Sequence, residues 1–77
     1  MSLEQDLERV RAEVDGVLLQ QGGRDHPYLL ILLKGGIEYQ IPAEQGDTLA
    51  DLLAVAAANL HALSPEAWPW HWSRALP

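Results

Sequence analysis

The chain reads as an α+β domain in the order α-β-β-α, on three observations. Leu3, Leu7, Val10, Val14 and Val17 recur at alternating steps of four and three, the period of an amphipathic helix. Two apolar runs flank Gly35-Gly36, the signature of a two-residue hairpin loop. Leu49, Leu52, Leu53, Ala56, Leu60 and Leu63 form a second helical stripe. One two-stranded antiparallel hairpin packed by two helices, with a short C-terminal turn, accounts for all three.

The first stripe predicts a helix over residues 3–21. Ser2 can cap it, with Gln5 at the capping-box position. Glu4, Asp6 and Glu8 lie where the helix dipole favours anions. Arg9 with Glu13, and Arg11 with Asp15, are i,i+4 pairs on the polar side. Gly16 costs about 1 kcal/mol inside a helix and is where this one would end or bend. The apolar pattern nevertheless runs on through Val17 and Leu18 to Gln20-Gln21-Gly22-Gly23, a C-cap signal. Residues 24–27 then form a loop, because Pro27 biases His26 to an extended backbone.

Strands are expected over 28–34 and 37–42. With Gly35-Gly36 as the loop, Lys34 lies opposite Ile37, Leu32 opposite Tyr39 and Leu30 opposite Ile41. On the other face, Leu33 meets Glu38 and Ile31 meets Gln40. The second strand alternates apolar and polar. The first does not: Leu29, Ile31 and Leu33 are apolar on the face where the second strand is polar. A strand apolar on both faces is normally covered on both, and a lone hairpin is marginal in water. Either one helix covers each side, or another chain buries Leu29, Ile31 and Leu33. Asp25, Pro27 and Lys34 read as gatekeepers around this run.

A second helix is expected over 48–63, with Thr48 and Asp51 at capping-box spacing. From Leu52 to Ser64 only His61 can carry charge, and Ala50, Ala54, Ala57, Ala58 and Ala62 fill much of the remaining circumference. Such a helix can be approached from several sides. The joint Gln45-Gly46-Asp47-Thr48-Leu49, running from a strand into an Ala/Leu helix, resembles the strand-to-helix joint of the HicB-type antitoxins. That family's Pro-Gly-Cys turn is absent. The resemblance implies an antitoxin-like regulatory role as one alternative.

In the tail, Ser64-Pro65-Glu66 starts a short turn that Pro69 cuts off. If extended beyond it, Trp68, Trp70 and Trp72 project to one side. Three indoles can complete a core that contains no Phe, anchor a protein interface, or stack on a sugar or a quaternary ammonium.

Composition narrows the function. Eleven acids against five bases give a net charge of −6, with the bases scattered, so direct nucleic-acid binding is disfavoured. His26, His61 and His71 follow no zinc spacing, and there is no Cys. No nucleophile motif or phosphate loop occurs, and Asp47 with Asp51 is an ordinary helix-start pair. No catalytic residue, metal or cofactor is therefore expected. An enzyme would need a histidine to meet carboxylates across a subunit interface. The run Leu29–Leu33 is too short to span a membrane. The polar, acidic start does not read as a leader, which predicts a cytoplasmic protein. A single domain of 77 residues without disulfides or metal usually needs a partner subunit, so a homodimer is expected. The expected role is a small non-catalytic protein-interaction module, accessory, inhibitory or regulatory, with Leu29, Ile31, Leu33, Trp68, Trp70 and Trp72 as its contacts. The alternatives are small-ligand binding at the Trp cluster and the antitoxin-like regulator.

Overall fold

A computed structural model describes residues 2–23, 26–70 and 73–75, the last three by their backbone. The elements are α1 (Leu3–Glu13), β1 (Gly16–Gln21), β2 (Tyr28–Lys34), β3 (Ile37–Pro42), α2 (Leu49–Ala58), a 3-10 turn (Leu60–Ala62) and β4 (Ser73–Ala75). The fold class is α+β. The sheet is antiparallel in the order β1-β2-β3-β4, three full strands extended by the three-residue β4. It is therefore larger than the single hairpin expected.

The hairpin has the expected register: Lys34 faces Ile37, Leu32 faces Tyr39 and Leu30 faces Ile41. Gly35 and Gly36 hold φ of 60° and 78°. Only glycine adopts two such angles in succession at little cost, and a type I′ hairpin loop requires them.

The expected helix over 3–21 is corrected to half its length. Its start is as read: the Gln5 N–H donates to Ser2 Oγ at 3.2 Å, and the Ser2 N–H returns to Gln5 Oε1. Val14 then turns extended, with φ −121° and ψ 161°. The Asp15 N–H donates to the Leu33 carbonyl at 2.7 Å. From Gly16 the chain is a strand, pairing Val17 with Leu32, Leu18 with Ile31 and Leu19 with Leu30. Two causes favour the strand. Gly16 is a poor helix residue, and its missing side chain leaves room for Leu33, whose Cδ1 would lie 3.3 Å from an added Cβ. The free edge of β2 also offers a ladder of backbone partners. Asp15 Oδ2 accepts the Gly35 N–H at 3.0 Å, tying this junction to the hairpin turn.

Both helices lie on one side of the sheet. Val10 and Val14 of α1 and Leu52, Leu53 and Ala56 of α2 share a core with Leu30, Leu32, Tyr39 and Ile41. A helix on each face is thus overturned. On the other face Ile31 is nevertheless buried, with Leu18 of β1 and Gln40 of β3 as its cross-strand neighbours.

α2 starts as read. The Asp51 N–H donates to Thr48 Oγ1, while Asp51 Oδ2 accepts the Thr48 N–H at 2.8 Å. It ends at Ala58 rather than 63. Asn59 diverts its Nδ2 to the Val55 carbonyl at 2.8 Å, a local bond that competes with continued helix, and a 3-10 turn follows. The Tyr28 hydroxyl donates to the Asp47 carbonyl, fastening the β3–α2 loop to β2. Among the described residues no helix is long and apolar enough to cross a membrane.

Candidate functional site

The ladder fixes which backbone groups are free. The Ala43 N–H donates to the Tyr28 carbonyl at 2.9 Å, and the Gly22 N–H to the Pro27 carbonyl at 3.2 Å. Hydrogen bonding alternates along an antiparallel strand. Even-numbered residues of β2 therefore bond to β3, and odd-numbered ones to β1. In β1, Gly16, Leu18 and Gln20 bond to β2, while the N–H and C=O groups of Val17, Leu19 and Gln21 point away from the sheet. β1 is an edge strand. Its sequence, Gly-Val-Leu-Leu-Gln-Gln, has no charge and no proline. Natural edges usually carry one or the other as a guard. Leu18 and Leu19 are 52% and 55% exposed, one on each face of the sheet.

The outer side of β3 is occupied. Glu38 pairs with Arg74 and Tyr39 with Ser73 along the backbone of β4. The outward carbonyl of Gln40 accepts the Trp68 Nε1–H at 3.0 Å, and Pro42 has no N–H to offer.

The face away from the helices holds Leu29, Ile31 and Leu33, as the sequence indicated. Ile31 is buried, and its two neighbours are half-buried. Glu38 and Gln40 share this face and are buried too, with Gln40 Nε2 donating to Glu38 Oε1 at 2.8 Å. Leu18, paired with Ile31, is the exposed continuation of this apolar strip. Sequence reasoning missed Leu18 and Leu19 by placing them in a helix. The signal present was the apolar run Val17-Leu18-Leu19, inside a five-residue stretch bounded by Gly16 and Gly22-Gly23.

The Trp cluster divides. Trp68 is buried and meets Tyr39 edge to face, ring centres 5.3 Å apart. Trp70 is half-buried and tilts against Trp68 at 5.2 Å. Trp72 and His71 lie outside the described residues. Trp68 thus serves the core and the sheet edge.

Several titratable groups are committed to local structure. Asp47 Oδ2 accepts the Glu44 N–H, and Asp51 is engaged by Thr48. The hydrogen bonds from the Thr48 backbone and hydroxyl hold the Asp51 carboxyl below its usual range. Burial raises the Tyr39 phenol, with a smaller contribution from the Glu66 charge. His26 Nδ1 lies 3.2 Å from the Ala43 carbonyl. His61 is exposed beside a shallow cleft that it shares with Arg9 and Glu13. Among the described residues no three His, Asp or Glu side chains converge to hold a metal. Comparison with protein-family models, curated proteins and solved structures yields no match to this chain.

Proposed function

We propose that this protein is a non-catalytic interaction module that binds another polypeptide through the β1 edge and the apolar strip beside it. The observation that carries the reading is the combination at β1: outward backbone groups at Val17, Leu19 and Gln21, two exposed leucines, and no guarding charge or proline. A strand added to such an edge gains main-chain hydrogen bonds, and side-chain contacts to Leu18 or Leu19 supply selectivity. Capture by the tagged chain from its native host, run in parallel with Leu18→Glu, tests the reading. A polypeptide held by the parent and lost from a folded Leu18→Glu is expected. Identical recoveries from both would refute it.

A further inference from the structure

We infer that β1 pairs antiparallel with β1 of a second copy of this chain, joining two sheets into one across a two-fold axis at Leu19. The inference rests on β1 being the interaction edge and names its occupant. A strand paired with itself about a two-fold axis is necessarily antiparallel. With Leu19 opposite the second copy's Leu19, Val17 falls opposite Gln21. Every outward N–H and C=O of these three residues then finds a partner. Moving the axis to Leu18 leaves Gln21 without one of the three.

The charge distribution leaves this strand open to the same occupant. Each copy carries −6, so two copies repel over most of their surface. α1, for example, presents exposed Glu4, Glu8 and Glu13. The strand Gly16–Gln21 is uncharged, so no carboxylate opposes another along this seam. A basic foreign strand would find no acid in β1 to pair with. The seam also covers what is exposed: the two Leu19 side chains meet at the axis on the helix side, and Leu18 lies beside the second copy's Gln20 on the other. A standard stable interface takes about 800 Å² from each partner, against a total surface of 5016 Å². A seam of one six-residue strand from each copy is small by that measure, so the dimer is expected to dissociate on dilution.

The test uses the two-fold axis itself. Leu19→Lys and Leu19→Glu each place like charges opposite one another, which opposes pairing. Mixed, they place opposite charges there. Sedimentation at tens of micromolar should give twice the chain mass for the parent, the monomer mass for each variant alone, and dimer again for the mixture. Circular dichroism reports that both variants fold. Leu19→Pro, which removes an outward N–H and no ladder bond to β2, should also be monomeric. Leu49→Glu, on α2, should remain dimeric. A monomeric parent overturns the second copy as occupant; if Leu18→Glu still abolishes capture of another polypeptide, the interaction reading survives. A parent dimer unaffected by the Leu19 variants overturns the seam.

Discussion

Among the described residues, Asp6 is the least comfortable side chain. It is buried in α1, and its Oδ1 has no hydrogen-bond partner. An unsatisfied buried polar group costs about 1–3 kcal/mol. Its place in the first helical turn returns only about 0.3–1 kcal/mol through the dipole. Asp6→Leu should therefore stabilise the fold by about 1 kcal/mol, a rise in Tm of about 4–8 °C for a domain of this size, read by thermal unfolding. Tyr39 gives a second prediction. Its phenol is raised above the ordinary 10.0 by burial first and by Glu66 second. The folded state thus holds the proton more tightly than the unfolded chain. The stability this confers is complete below pH 10 and is lost as pH climbs through the folded value. Urea midpoints should fall above pH 10, and less so in Tyr39→Phe.

At the scale of elements, the β1–β2 connection is set by one close approach. A Cβ on Gly22 would collide with the His26 carbonyl oxygen, whereas one on Gly23 meets nothing within 4 Å. Gly22→Ala should cost about 1–3 kcal/mol and Gly23→Ala almost nothing, measured by urea unfolding. The hairpin was legible down to its register, because Ile37, Tyr39 and Ile41 alternate with Glu38 and Gln40 and two glycines permit only a tight loop. β1 was not. Val14 and Val17 continue the spacing of Leu3, Leu7 and Val10, and periodicity cannot separate a short apolar strand from a helical turn. The decision lay in the free edge of β2, a tertiary fact. The candidate site was therefore half visible. Leu29, Ile31 and Leu33 stood out by facing Glu38 and Gln40, while their exposed continuation, Leu18, was hidden in a supposed helix. Trp68 was ambiguous because its neighbours, Tyr39 and the Gln40 carbonyl, come from the far side of α2 in the chain.

At the scale of the whole molecule, the proposed dimer sets an acidic surface against an uncharged seam. Two copies at −6 repel, and salt screens that repulsion over about 10 Å at 0.1 M. Hydrogen bonds and apolar contact at β1 are largely indifferent to it. Dimerisation should thus strengthen between 10 mM and 150 mM salt, followed by sedimentation. A seam built on ion pairs would weaken instead.

The inequality of the two sheet edges has a consequence for growth. β4, the indole of Trp68 on the Gln40 carbonyl, and the imide nitrogen of Pro42 leave the β3 side without a row of open sites. Among the described residues a further strand therefore finds a six-residue edge at β1 and only the three-residue β4 at the other end of the sheet. In the proposed dimer the pairing of the two β1 strands leaves only these short ends, and very short edges resist further addition. A strip as apolar as Leu29–Leu33, an aggregation hazard in a sheet with two long open edges, would there be held in an assembly biased to stop at two.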